Sequence, residues 1–458
     1  MSVKANSSDT IAGVSSAIGG PISIIRISGT NSLYILKKIF SRKDDKPFES
    51  HRIYYGWIDD GIEKIDEVLV SVMLAPKTFT RENIVEINCH GGTIVVQKIL
   101  LLCVHHGARL AEPGEFTMRA FLNGRIDLSQ AEAVMDIINA KSQLSHKTAV
   151  GQLQGRLAAL LGNSCDDLLA LLARIEMAID YPEHDEAEIL AAYIKLRLEE
   201  ISSSIDKLLA TANQGRIIRE GIKTAIIGLP NVGKSSLLNV LANEDRAIVT
   251  HIAGTTRDVL RETIKIDEIF LEIADTAGIR QTDDIVENHG VDRSIKEGLA
   301  ADLVLLVVDG SEAFTAGQMC GFDYDKWHKT IVIVNKTDLP IVFDAKMLPA
   351  KLADAPIVEI SAKEHKGIDA LNKTIEAMFL KGDIEYGQDI VTNTRHIALL
   401  SAAKDSLQNA IDAIDADEFI DLVAIDIQAA FASLGAITGI VVEDELIEKI
   451  FSEFCLGK

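Results

Sequence analysis

The chain has 458 residues with 46 Lys and Arg against 68 Asp and Glu, a formal charge of −22. At about 150 residues per domain this length implies roughly three domains, and the 47% apolar, 25% charged composition excludes wholesale disorder. So acidic a chain repels nucleic acid at long range, which excludes generic coating and requires any contact to come from a local basic patch.

Uninterrupted apolar runs such as Leu303–Val308 fall far short of the ~20 residues of a membrane span. The N-terminus shows no charged-then-apolar signal pattern, so a soluble chain is expected. Cys89, Cys103, Cys165, Cys320 and Cys455 are scattered and form no C-x-x-C pair. That argues against a disulfide framework and a cysteine zinc site, and for a reducing compartment.

Up to about residue 120 the chain is an α/β mixture. β-branched stretches at Ile22–Ile27, Val68–Met73 and Ile84–Asn88 predict strands, and Ser32–Phe40 and Thr93–His105 predict helices. From Leu128 the apolar positions recur at helical spacing, through Ala131, Val134, Ile137 and Ile138 and then from Leu157 to Leu172. Asp127 or Ser129 is a suitable N-cap, and the helical run continues past Tyr181-Pro182 into Ile189–Ala212. After Gly221, buried-type strands are expected at Ile222–Gly228, Ile269–Ala274, Leu303–Asp309, Thr330–Asn335 and Pro356–Ile360. Helices between them give a mostly parallel, doubly wound sheet. Helical spacing returns after Gly382 and lasts to Cys455. The expected organisation is multidomain α/β plus all-α: an N-terminal domain at 1–122, a helical domain from 123–215 and 384–458, and a Ras-like domain at 220–382 inserted within it.

Gly228-Leu-Pro-Asn-Val-Gly-Lys-Ser235 is G-x-x-x-x-G-K-S between a predicted strand and a predicted helix. Consecutive backbone N–H groups at a helix N-terminus cradle phosphates, and glycine lets the backbone come close. Lys234 supplies a charge to the β- and γ-phosphates, and the Ser235 hydroxyl suits Mg²⁺. Asp275-Thr276-Ala277-Gly278 ends the next strand, with Asp275 suited to water-mediated Mg²⁺ contact and Gly278 N–H to a γ-phosphate. In Asn335-Lys336-Thr337-Asp338, the Asp338 carboxylate can accept from N1–H and the 2-amino group of guanine, which adenine lacks. Ser361-Ala362-Lys363 closes over the base. Each motif is weak alone, but four in order on the right elements point to a guanine nucleotide.

Thr256, in Gly254-Thr255-Thr256-Arg257-Asp258, is a candidate second Mg²⁺ ligand. Ile279 stands where many GTPases place a water-orienting glutamine, so another group must position water and another charge must stabilise the transition state. Glu287 is an acidic candidate for the first role, and Asn231 could hold a monovalent cation for the second.

These residues, with Ile24-Ile-Arg-Ile-Ser-Gly29, Cys89-His-Gly-Gly92, Pro113-Gly-Glu-Phe-Thr117, Arg119-Ala-Phe-Leu-Asn123 and Phe454-Cys-Leu-Gly-Lys458, resemble the MnmE (TrmE) family of tRNA modification GTPases nearly end to end. The resemblance implies an N-terminal domain that dimerises and binds a one-carbon carrier, 5,10-methylenetetrahydrofolate (5-formyltetrahydrofolate is an analogue), through Arg26, Glu82, Arg125 and Lys458. An anionic glutamate tail suits Arg and Lys, and pterin N–H groups suit a carboxylate.

In the inserted domain the resemblance implies GTP contacts from Asn231, Val232, Gly233, Lys234, Ser235 and Ser236. Further contacts would come from Thr250, His251, Ile252, Ala253, Gly254, Thr255 and Thr256, from 275–278, and from the base loops. Ser235 and Thr256 match Mg²⁺ ligands, while Asn231, Thr250, Ile252 and Thr255 match K⁺ ligands. Glu287 and Lys234 take catalytic positions, and Cys455 is the modification cysteine, with a nucleophilic or an acid–base role equally open. The implied activity is GTP hydrolysis that, with the flavoprotein MnmG/GidA, serves aminomethyl-type modification of a tRNA wobble uridine in the cytoplasm. Met1–Thr10 is not an Arg/Ser-rich transit segment. A ribosome- or RNA-assembly GTPase switch fits the phosphate loop equally well; the first domain and the Cys455–Lys458 tail distinguish the two.

Three departures from the family pattern stand out: Ser15-Ser-Ala-Ile18 near the N-terminus, Arg81 where Gly is usual, and Ala436 in place of an acid. Cys89-His90 and His105-His106 lack a third ligand at useful spacing and fit core or turn positions better than a metal site.

Overall fold

The computed structural model describes residues 9–44, 46–180, 187–244, 262–266, 268–273, 301–314, 327, 329–379, 390–455 and 457. The chain divides into two compact units. One comprises Met1–Ile138, Val150–Ser202 and Leu399–Lys458, and the other Asn139–Ala149 and Ser203–Ala398.

In the first unit, β1 (Thr10–Val14), β2 (Ile22–Ser28), β3 (Phe40–Ser41), β4 (Arg52–Asp59), β5 (Lys64–Met73), β6 (Ile84–His90) and β7 (Ala108–Leu110) form one sheet. Its order is β3-β4-β5-β6-β2-β1-β7; β1 and β7 are parallel and the other pairs antiparallel. Alternation on β5 buries Val68, Val70 and Val72 and leaves Glu67 and Leu69 outside, as a strand period of two requires. Helices α1 (Ser32–Ile39) and α2 (Thr93–His105) cover the inner face, where Ile25, Ile27, Val85 and Ile87 meet Ile35, Leu36, Val96 and Ile99. On the opposite face Tyr55, Leu69, Asn88 and Ile24 stand in one register row. Ile22, Ile53, Tyr55 and Leu69 are exposed there.

Helix α3 (Glu115–Leu122) leads to α4 (Leu128–Asn139), capped by Asp127, whose Oδ1 accepts from Gln130 N at 3.0 Å. Helices α5 (Gln143–Leu153), α6 (Arg156–Asp180), α7 (Ala187–Ala210) and α8 (Ala212–Glu220) follow.

The second unit holds β8 (Ile222–Ile227), β9 (Glu262–Ile266), β10 (Ile269–Ile273), β11 (Leu303–Asp309), β12 (Thr330–Asn335) and β13 (Ile357–Glu359), ordered β13-β12-β11-β8-β10-β9. All pairs are parallel except β9 with β10. The central strands are apolar throughout because both faces are covered. Leu303, Leu305, Ile331 and Ile333 pack with α9 (Lys234–Glu244) and α10 (Ile368–Phe379), whereas Val304, Leu306, Val332 and Val334 pack with Phe314, Trp327 and Leu352. The last strand is shorter than the expected Pro356–Ile360, and the β9–β10 hairpin was not anticipated.

Two chain passages meet at the root of this unit. Val391 N donates to Thr211 Oγ1 at 3.1 Å, and a Cβ built on Gly215 would lie 2.0 Å from Val391 O. Arg216 is bidentate to Asp302, at 2.8 and 3.2 Å. Lys141, ahead of α5, donates to Thr263 Oγ1 at 3.1 Å and lies over the Phe270 ring.

Helix α11 (Thr394–Asp415) passes from the second unit into the first at Leu399, and α12 (Ile420–Thr438) and α13 (Asp444–Ser452) close the first unit. Helix α12 corrects the expectation from apolar runs: its 19 residues are long and apolar enough to cross a membrane. Asp421 and Asp426 interrupt the run, which is why no continuous stretch marks it. It packs along α6 and buries Val423, Ile427, Ala430 and Leu434, while Leu422 and Ile425 stay exposed.

Candidate functional site

The phosphate loop leaves β8 and enters α9 as its sequence requires. Gly233 takes φ +97° and faces Asn335 so closely that a Cβ would lie 2.2 Å from Asn335 Nδ2; only glycine fits. Asn231 is exposed with φ +63°. Lys234 folds back over the loop, donating to Gly228 O at 2.8 Å and Leu229 O at 2.6 Å. Burial pulls its ammonium below the ordinary lysine range, a cost that an arriving phosphate would relieve. Ser235 and Ser236 are exposed at the helix start, and Val232 is buried.

Asn335 ties the base loops to this cradle. It is 3% exposed; its Nδ2 donates to Val232 O at 2.8 Å and its Oδ1 accepts from Ala362 N at 3.1 Å. One amide thus joins the phosphate loop and the Ser361–Lys363 loop to the end of β12. Ser361 donates its hydroxyl to Asp338 Oδ1 at 2.8 Å and so holds that carboxyl below its usual range. Lys363 is exposed beside them. Lys336, at φ +64°, pairs with Asp309 at 2.5 Å. Burial alone would raise the Asp309 carboxyl, but Lys336 and Ser311 outweigh it and hold it low. Sequence reasoning did not single out Asp309; its only signal was an acid closing an apolar strand.

Thr250, His251, Ile252, Ala253, Gly254, Thr255, Thr256, Asp275, Thr276, Ala277, Gly278, Ile279, Glu287 and Lys458 lie outside the described residues.

The first unit gathers a second set. Arg26 is held by Glu86 at 2.8 Å, reaches Gly457 O at 3.5 Å, and lies over Phe116 and Phe79 at 5.4 and 5.7 Å. Arg125 also faces Phe79, at 4.8 Å, so two guanidiniums share one ring. Glu82 accepts from Ser28 Oγ at 2.7 Å and from Arg119 at 3.1 Å. Arg119 is 3% exposed and also pairs with Asp9 and Glu115, which Arg109 shares.

Two of the chain's three departures from pattern have local reasons. Arg81 takes φ +59°, a backbone that suits the usual glycine, and anchors it by donating to Asn123 O at 2.9 Å. Ser15 Oγ donates to Gly457 O at 2.9 Å, and Ser16 Oγ accepts from Ile24 N at 2.8 Å. Gly457 itself (φ +86°) presses on Val14 O, where a Cβ would lie 2.0 Å away. Cys455 is exposed, and its carbonyl accepts from Gly114 N at 3.4 Å. Cys89 is buried and His90 pairs with Asp66. Nothing in the structure explains Ala436.

A phosphate loop between a buried strand and a helix, tied by one asparagine to an aspartate-bearing base loop, defines a phosphate-loop nucleotide-binding protein. The family models for the GTP-binding protein TrmE N-terminus and the MnmE helical domain match residues 10–125 and 128–455. The tRNA modification GTPase MnmE of Lactiplantibacillus plantarum is 50% identical over 457 residues, 98% of each chain. That of Bacillus pumilus is 48% identical over 458 residues, covering 98% of this chain and 100% of its own. The chain belongs to the MnmE family. Among solved structures, the FeoB G domain of Methanococcus jannaschii is similar over 35% of this chain and 98% of its own, at 22% identity and a TM-score of 0.24.

Proposed function

We propose that this chain is a potassium-dependent GTP hydrolase. Acting with MnmG/GidA, it adds a (carboxymethyl)aminomethyl group to C5 of the wobble uridine of certain tRNAs, using a tetrahydrofolate one-carbon unit. The observation that carries the nucleotide part is Asn335, whose single amide holds the phosphate loop and both base loops in one frame. Asp338, steadied by Ser361, reads guanine, and Lys234 trades two loop carbonyls for phosphate oxygens. Ser235 with Thr256 would hold Mg²⁺, which supplies charge stabilisation on the phosphates. Asn231, exposed on the loop, with Thr250, Ile252 and Thr255, would hold K⁺. Glu287 would position the attacking water.

The folate part rests on the ring of Phe79 that Arg26 and Arg125 both face, on Glu82, and on the tail docked through Gly457. The guanidiniums offer planar charge to an anionic tail and Glu82 accepts from N–H groups; Lys458 would complete the folate set, and Cys455 on the same tail would be the modification cysteine. The domain division at 1–122, 123–215 with 384–458, and 220–382 belongs to this reading. So do a cytoplasmic location and a homodimer, which would cover the exposed Ile22, Ile53, Tyr55 and Leu69.

The test is nucleoside analysis of tRNA from cells lacking this gene, with and without a Cys455→Ser copy restored. Loss of an aminomethyl-type wobble uridine, unrescued by the Ser copy, is the expected result. Unchanged tRNA would turn the assignment to an RNA-assembly GTPase switch.

A further inference from the structure

The nucleotide reading gives no task to Asp309. It ends β11 and, by parallel register, sits beside Asn335 at the end of β12. The side chain is 8% exposed, with Oδ2 2.5 Å from Lys336 Nζ. Its Oδ1 accepts from Ser311 twice, from the backbone N at 2.9 Å and the hydroxyl at 2.6 Å. Gly310 fastens the two strand ends: its N donates to Asn335 O at 2.8 Å, and a Cβ there would lie 2.9 Å from that oxygen. The carboxylate is therefore fixed with respect to the base loop.

Lys336 is in consequence held at both ends. Its backbone sits between Asn335, which is bonded to the phosphate loop, and the Asp338 segment, and its ammonium rests on Asp309. Four methylenes span the interval between them. A lysine stem ordered in advance offers a flat ring an apolar shelf without the loss of rotamer freedom that a loose lysine would pay on binding.

We propose that Asp309 is a positioning residue for nucleotide retention, anchoring Lys336 so that its stem lies ready beneath the base. The proposal rests on the guanine-nucleotide reading of the site.

The test is stopped-flow release of a fluorescent GDP analogue from the full-length chain. Asp309→Asn, which keeps the shape and removes the charge, is expected to release about fivefold faster. Lys336→Met removes the ammonium and keeps an unbranched apolar stem of similar length. If Asp309 acts through it, the double variant releases no faster than Lys336→Met alone. Additive acceleration in the double variant, or release from Asp309→Asn at the wild-type rate, would overturn the proposal. Ser311→Ala, a milder change that loosens the same carboxylate, is expected to release about twofold faster; it decides the matter if Asp309→Asn fails to fold, and an unchanged rate there counts against the proposal. Failure of the wild-type chain to bind the analogue at all would strike the nucleotide reading itself.

Discussion

Arg119 Nη1 lies 3.1 Å from Glu82 Oε1, while Nη2 of the same guanidinium serves Asp9 at 2.5 Å and Glu115 at 3.0 Å. One buried cation thus holds a proposed ligand-binding acid from behind, together with two acids that it shares with Arg109. Replacing it with Met takes a cation from buried Glu115 and from the half-buried Glu82 and Asp9, leaving Arg109 to hold Glu115 and Asp9 and Ser28 to hold Glu82. The expected loss is about 3–5 kcal/mol of stability, read as a lowered denaturation midpoint. An unchanged midpoint would mean that water reaches the cluster.

The same cluster sets an acid limit. Burial alone would raise the Glu115 and Asp9 carboxyls, but the hydrogen bonds and charges of Arg109 and Arg119 outweigh it and hold both below the usual range. Groups lowered in this way stabilise the fold fully above their unfolded pKa, and the contribution is lost as pH falls through the folded value. Thermal melts of the wild type should therefore fall steeply below about pH 4. The Glu115→Gln variant should melt lower at neutral pH and fall less steeply. Parallel curves for the two proteins would remove Glu115 from the account.

Asp338→Asn should move preference from guanosine to xanthosine nucleotides, because an amide donates where xanthine presents a 2-oxo group. Competition between GTP and XTP for the full-length chain measures this directly. Retained GTP preference would place base recognition elsewhere.

Lys234→Met removes the ammonium that bridges Gly228 O and Leu229 O. Affinity for GTP should drop about 10- to 100-fold, the worth of charge-assisted phosphate bonds. Titration with a fluorescent analogue would show it, and affinity within twofold of wild type would exclude the phosphate role.

Gly457→Ala puts a Cβ against Val14 O in a backbone region that alanine avoids. The tail should leave its seat beside Ser15 and Arg26. Calorimetry should show weaker binding of 5-formyltetrahydrofolate, while GTP turnover stays at the wild-type rate. Folate affinity equal to wild type would separate the tail from the pocket.

How much of this was legible beforehand depended on the range of the signal. The parallel strands of the second unit were, because burial on both faces leaves a continuous apolar run such as Leu303–Val308. The phosphate and base motifs were too, since each is contiguous and its spacing is its chemistry. Strands β1, β4 and β7 were not, being short, edge-like or polar on one face. Asp309 was hidden because its meaning lies in Lys336, a partner that only the β11–β12 register supplies. Arg119 was legible as part of a motif but not as the hub of three acids, since Asp9 and Glu82 reach it from distant positions.

Thr211 and Val391 are joined by a hydrogen bond, and the backbone of Gly215 runs against that of Val391. The long excursion between them therefore begins and ends at nearly one point in space. Closing so long a loop costs little more than closing a short one, because the entropic term grows only with the logarithm of length. Coincident ends also make the segment a natural unit of transplantation, since a short splice across Gly215 and Val391 leaves neither side with a gap to bridge. Topologically, an excursion of this length is closed by the same few contacts that would close an ordinary turn.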